Sequence, residues 1–235
     1  MDLYLQVEWQ AATAFCIGST ADAQGLGVDK ATARDRQGRL IIPASTFKGR
    51  LRHECEKIAR ALGETVCDSP HPDRMCPHYG PLAGEFCLVC QLFGSPWRRS
   101  ALDFSDGRLT TPLPMQSGEP LSQRRRFDAQ VRPGVSISRA RRAAFSERLF
   151  FTETSAPNAD FRFQVEISGQ LPDSDGPRLR ALLLAGLRSL SLIGGGRSRG
   201  LGWGRVVQWT LNGEELPWDR LGEWLKEMDH AGTGG

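Results

Sequence analysis

Residues 25–52 read Gly-Leu-Gly-Val-Asp-Lys-Ala-Thr-Ala-Arg-Asp-Arg-Gln-Gly-Arg-Leu-Ile-Ile-Pro-Ala-Ser-Thr-Phe-Lys-Gly-Arg-Leu-Arg. A glycine-bracketed acidic turn leads into a short apolar run at 40–42, and Pro43 with Ser45 opens a basic helix. The order is loop, strand, helix. Pro43 fixes its own φ and ends strand pairing, while Ser45 or Thr46 can cap the first N–H groups of the helix. Phe47, Leu51, Cys55, Ile58 and Leu62 recur at helical spacing, with Gly63 just past the end, so the helix is expected over 45–61 as an amphipathic core element. Lys48, Arg50 and Arg52 crowd its first turns. That is the wrong sign for the helix dipole unless an external anion sits there, and phosphate is the candidate.

Working outward, residues 3–9 alternate with period two and 14–17 form a second apolar stretch, which together predict a strand or bent strand pair. Beyond the helix, prolines, histidines and cysteines replace hydrophobic periodicity over 64–100. Cys67, Cys76, Cys87 and Cys90 follow the spacing C-x8-C-x10-C-x2-C, which suits a tetrahedral structural Zn²⁺ with four thiolates and no open catalytic position. His71 and His78 are possible substitute ligands; disulfides and unliganded thiols are the alternatives. Cys16 and Cys55 stand in apolar strand and helix contexts and read as buried thiols.

Residues 102–106 predict a strand returning to the core. Next comes the basic segment. Between 121 and 148 there are eight arginines (among them Arg124, Arg125, Arg126, Arg132, Arg139, Arg141 and Arg142) against Asp128 and Glu147. That is +6 in a chain of net charge +3, leaving the remainder at −3. Period-two alternation at Val135 and Ile137 suggests an extended hairpin with Pro133-Gly134 as its turn or kink. Arginine forks interleaved with apolar side chains suit single-stranded RNA; a solvated charged face is the alternative. Strands are further expected at 149–154, 161–167 and 205–211, a buried helix at 177–192 and a closing helix at 218–228.

The segment Gly194-Gly-Gly-Arg-Ser-Arg-Gly-Leu-Gly-Trp-Gly204 follows a helix and precedes a strand, which excludes the strand-glycines-helix order of a dinucleotide site. Such a loop can instead bring bare backbone N–H groups at Gly195 and Gly196 up to a phosphate chain, with Arg197 and Arg199 adding charge. No apolar run approaches the ~20 residues of a membrane span, and the N-terminus does not read as a signal peptide, so the chain is expected to be cytoplasmic.

Taken together, Val28-Asp29, Asp35 and the run Ile42-Pro-Ala-Ser-Thr-Phe-Lys-Gly-Arg-Leu-Arg52, with the arginine hairpin and the glycine loop, resemble the RAMP superfamily. More narrowly they resemble its seven-group backbone subunit, the target-RNA-cleaving repeat of type III CRISPR-Cas effector complexes. Ala44 stands where glycine is usual after the proline. The resemblance implies an α+β, ferredoxin-like or RNA-recognition-motif core as a single domain over 1–235, carrying a zinc-binding insertion at 64–100 and a β-hairpin thumb at 118–157. It also implies guide RNA, complementary target RNA and neighbouring effector subunits as partners, with no membrane. Ser45, Lys48, Arg50, Arg52, the hairpin arginines and the glycine loop would bind RNA. By the same resemblance Asp29 matches the family's catalytic aspartate, acting as base or as ligand for Mg²⁺ or another divalent ion; Asp22 and Asp35 are reserves, and Asp35 reads better as a turn former. Two related readings stay open: a CRISPR-RNA processing nuclease using a base such as His53, and a non-cutting capping subunit.

Overall fold

In the computed structural model, residues 1–19, 27–82, 84–112, 128–157, 160–217, 222, 223 and 226 are described. Asp22, Arg124, Arg125, Arg126 and most of the closing helix expected at 218–228 lie outside them.

The chain order is β1 (Asp2–Ala11), β2 (Gly18–Ser19), β3 (Ala31–Thr32), β4 (Ile41–Ile42), α1 (Ala44–Ala61), α2 (Leu88–Phe93), β5 (Leu102–Phe104), β6 (Gly107–Leu109), β7 (Ala129–Ser138), β8 (Ala143–Ser155), β9 (Arg162–Gln170), α3 (Gly176–Ser189), β10 (Gly204–Leu211) and β11 (Glu214–Glu215). An antiparallel sheet runs β11-β10-β1-β9-β6-β4, with β5 also pairing β9. Strict alternation fixes which face of it is buried. Leu3, Leu5, Val7 and Trp9 of β1 point into the core, and their ladder partners Ile167, Val165 and Phe163 on β9 point the same way. The opposite face of β1 carries Tyr4, Gln6, Glu8 and Gln10 and is polar.

Helices α1 and α3 pack against each other over the apolar face. Their approach is close because α3 is small where they meet: a Cβ on Gly186 would lie 2.4 Å from Cys55 Sγ. The α1 stripe is Phe47, Leu51, Cys55 and Ala59, whereas Ile58 is half-buried and Leu62, at the C-cap, is exposed. Cys16 and Cys55 are buried, as their contexts imply.

Three local expectations are corrected. Neither Ser45 nor Thr46 caps α1; Pro43 is the N-cap residue, and the Ala44 N–H donates to Asp106 Oδ1 at 2.8 Å. A carboxylate from the β5–β6 turn thus meets the helix dipole from outside the helix's own sequence. Residues 14–17 are buried but outside strand, and pairing begins only at Gly18. Pro133-Gly134 is no turn: β7 runs straight through it, pairing Pro133 with Phe151 and Gly134 with Phe150, and the chain reverses at 139–142. The β7–β8 pair is a separate two-stranded sheet, so Pro133 sits in an edge strand, where its missing N–H is tolerated. No helix among the described residues is long and apolar enough to cross a membrane.

Candidate nucleic-acid interface and cysteine cluster

Asp29 lies where the loop before α1 crosses the root of the hairpin. Its N–H donates to the Phe151 carbonyl at 2.8 Å, and its Oδ2 accepts from the Phe151 N–H at 2.6 Å. One carboxylate oxygen is held by the hairpin backbone; Oδ1 has no partner among the described residues, and the side chain is exposed. The next residue continues the seam, with Lys30 bridging Thr152 and its carbonyl accepting from the Glu153 N–H at 2.8 Å.

Behind this seam is a buried charge cluster. Arg34 grips Asp128 with two hydrogen bonds of 2.8 and 2.7 Å and reaches Glu153 Oε1 at 3.4 Å. Glu153 Oε2 accepts from the Thr32 N–H at 3.0 Å. The three charged side chains are no more than 3% exposed. Asp128 starts the hairpin and Glu153 lies near its end, so Arg34 ties both of its strands to the segment carrying Asp29. Asp35 is the turn former, accepting from the Gln37 and Arg39 N–H groups.

A cavity of about 490 Å³ opens at this point, lined by Asp29, Lys30, Phe150, Thr152, Gly195 and Arg199 among others. It continues in two directions. One arm, about 370 Å³, runs to the start of α1 at Ser45, Thr46, Gly49 and Arg50. The other, about 150 Å³, runs along the hairpin past Arg132 and Gly134. Residues Cys16, Gly18 and Gly195 are common to the first pair of walls, and Phe150, Thr152 and Arg199 to the second, so the three form one groove.

Cations converge on it. Burial pushes the Cys16 thiol up from its ordinary value, against the opposing fields of Lys30 and Arg199. Burial, then the neighbouring Arg197 charge, pushes the Arg50 guanidinium down. An anion between Arg50 and Arg197 would relieve that repulsion.

The expected RNA-binding residues divide. Ser45, Arg50, Arg132, Gly195, Gly196 and Arg199 line the groove, together with Asp29, the expected catalytic residue. Arg52 faces away from it, donating to Glu56, the Gly94 carbonyl and Cys90 Sγ, and Lys48 lies over the Phe104 ring at 5.5 Å. Arg139, Arg141 and Arg142 occupy the tip turn, beyond Ser138 and so more than four ladder steps, about 13 Å at ~3.3 Å per residue, past Gly134 in the groove wall. The glycine loop is not an array of bare amides: the Gly195 N–H donates to the Cys16 carbonyl at 2.8 Å, and those of Gly202 and Gly204 are also bonded within the chain. Gly194, at φ +92°, could not be replaced there, since its Cβ would meet the Cys16 carbonyl at 2.6 Å. His53 is exposed on α1 and does not line the groove.

Sequence reasoning missed Lys30, Phe150, Thr152 and the Arg34–Asp128–Glu153 cluster. A partial signal existed for the last: Asp128, Glu147 and Glu153 are the acids of an arginine-rich hairpin, of which the first and last prove buried.

The four cysteines come together. Cys67, Cys76, Cys87 and Cys90 are buried with their Sγ atoms within 4.8 Å of one another, including 3.4 Å for Cys67–Cys90 and 3.8 Å for Cys67–Cys87. Thiolates at tetrahedral corners around Zn²⁺, with Zn–S of about 2.3 Å, lie about 3.8 Å apart, so the set could hold that metal. N–H groups of Cys87 and Cys90 donate to Cys76 and Cys87 sulfurs, as anionic ligands require. His71 and His78 are exposed and outside the cluster, His78 packing edge-on against Trp97.

A family model described as the RAMP superfamily matches residues 10–206. The chain belongs to the RAMP superfamily. Among solved structures, this RAMP chain is similar to one in the cryo-EM structure of the Type III-B Cmr-beta bound to cognate target RNA, at TM-score 0.57 and 18% identity. The match covers 89% of this chain and 60% of that one, so the RAMP chain spans under two thirds of its relative, and at this identity the likeness is one of fold. No curated protein sequence matches it.

Proposed function

We propose that this RAMP chain is a backbone subunit of a type III CRISPR effector complex, which binds guide RNA and cleaves complementary target RNA at Asp29. The observation that carries the reading is the groove itself, where Asp29, the start of α1, the glycine loop and the hairpin root meet along one continuous wall. Strand order β10-β1-β9-β6, with α1 and α3 as the two crossovers, supports a ferredoxin-like βαββαβ core. We read the chain as one domain with a zinc-binding insertion at 64–100 and a thumb at 118–157, working in the cytoplasm. The outer faces of β1 and β9 carry one exposed aromatic, Tyr4, rather than the several stacking aromatics of an RNA-recognition motif, which favours the groove as the RNA path.

In the groove, Arg50, Arg197, Arg199 and Lys30 bind the phosphate chain, while Phe150 and the hairpin hold adjacent nucleotides apart. A splayed nucleotide lets the 2′-oxygen line up with the scissile phosphorus and its 5′-leaving oxygen, so positioning supplies much of the rate. Asp29 accepts the 2′-hydroxyl proton as the 2′-O–P bond forms and the P–O5′ bond breaks, leaving a 2′,3′-cyclic phosphate and a 5′-oxyanion that takes a proton from water to become the 5′-hydroxyl. The Phe151 N–H keeps the carboxylate aimed. Alternatively, Asp29 would hold a divalent ion through its unpartnered Oδ1, and that ion would supply charge neutralisation at the phosphate. In the cysteine module, Zn²⁺ on four thiolates supplies a structural crosslink.

The test is a guide-complementary target carrying a single 2′-deoxynucleotide at one cut position. Cutting is expected to stop there and continue elsewhere. A cut that persists at that nucleotide would make water the nucleophile, and a guide-loaded complex that cuts no target would reduce the chain to a binding subunit.

A further inference from the structure

On the other side of α1 from the groove lies a second, open cleft of about 440 Å³, sharing no lining residue with the groove. Lys48 and Arg52, one turn apart on α1, form one wall; Ser69 of the cysteine module and Ser95, Arg98 and Arg99 of the loop after α2 form the other. Its charges are poorly balanced. Arg52 is matched by Glu56 at 3.0 Å, but Arg99 and Asp103 are 3.8 Å apart with both side chains largely exposed. Among the described residues, Lys48 and Arg98 have no carboxylate within ion-pair distance; each rests over an aromatic ring, Phe104 at 5.5 Å and Phe86 at 5.2 Å. Burial holds Lys48 below its ordinary pKa, with Asp103 opposing. A half-buried ammonium without a counter-ion gains from an anion brought to it. Between Pro96 and Arg98 on the same loop stands Trp97, 47% exposed and braced edge-on by His78 at 4.4 Å.

We infer that this cleft is a second RNA-binding site, in which Lys48, Arg98 and Arg99 take backbone phosphates and Trp97 stacks a base. Cations beside a rigidly held, exposed aromatic ring are what a single strand requires, whereas an acidic protein segment would have no use for the indole face. The inference rests on the reading of the chain as an RNA-binding subunit and adds a contact that runs from α1 onto the cysteine module.

The experiment measures binding of a fluorescein-labelled, unstructured single-stranded RNA to the full chain across a salt series. It compares wild type, Arg98→Ser/Arg99→Ser, Trp97→Ala and, in the groove, Arg199→Ser. The double variant is expected to bind on the order of tenfold more weakly, with a log–log salt slope shallower by about 1.4, two phosphates at ~0.7 each. Trp97→Ala should weaken binding without changing the slope. Arg99→Glu alone, at a side chain that is 87% exposed, repeats the loss without a folding risk. Unchanged affinity in these variants alongside a loss in Arg199→Ser would overturn the second site and leave the groove reading intact. Absence of RNA binding by wild type would sink both. Unchanged RNA affinity with loss of co-purifying effector subunits would make the cleft a protein-docking site instead.

Discussion

At the level of single residues, the side chains proposed to act on RNA differ in their settings from those that hold them in place. Asp29 is exposed and fastened only by the Phe151 backbone, so its removal should leave the fold untouched. Arg34 is the reverse. It is enclosed with Asp128 and Glu153, and removing one member of such a cluster strands a buried charge. Arg34→Met should therefore lose about 3–5 kcal/mol of stability in denaturant unfolding. An unchanged unfolding midpoint would show that the cluster is not sealed from water. Asp128→Asn keeps the shape and should release the hairpin root, slowing cleavage while guide affinity falls little. Asp29 was singled out through the family resemblance of Val28-Asp29, its residue type alone reading equally as a turn former, and the structure puts it in the groove wall; Arg34 was missed because its partners lie 94 and 119 residues away.

Among the elements, those with strong periodicity were legible and those shaped by a distant neighbour were not. β1, β9, α1 and α3 follow from alternation and helical spacing, since each buries one face against the same core. The hairpin was recognised by its charge but its turn was misplaced. Pro-Gly signals a turn by local chemistry, yet here the glycine is required because the Phe150 ring covers it, at 2.4 Å from where a Cβ would be. Gly134→Val should accordingly displace Phe150 and perturb the groove, read as slower cutting with the global melting temperature little changed. Gly186→Ala acts in the core instead: a Cβ 2.4 Å from Cys55 Sγ forces α1 and α3 apart, at a cost of about 1–3 kcal/mol in unfolding. If its unfolding midpoint matches wild type, the helix crossing is looser than described. The cysteine module should carry close to one zinc per chain by elemental mass spectrometry, and chelation should lower the melting temperature without abolishing RNA binding in the groove.

For the whole molecule, the sheet and two helices form a fixed base from which the hairpin projects, exposing Val131, Val135, Ile137 and Leu149 to solvent. Val131, Val135 and Leu149 flank the groove's hairpin arm, whereas the tip arginines lie at least four ladder steps beyond it, and in the proposed complex these tip residues would contact more distant RNA or a neighbouring subunit. Arg139→Ser/Arg141→Ser/Arg142→Ser should lower guide affinity and flatten its salt dependence while leaving the single-turnover cutting rate of bound target unchanged. The most direct measurement is single-turnover cleavage of guide-complementary RNA by the assembled complex in Mg²⁺, with guide occupancy quantified in the same samples. Wild type, Asp29→Ala and wild type in EDTA are compared. Regularly spaced cuts should slow by about 10²–10⁴-fold in Asp29→Ala and stop in EDTA, at equal guide occupancy. Cuts that persist at the wild-type rate in Asp29→Ala would place the chemistry on another residue or subunit and contradict the assignment of the groove.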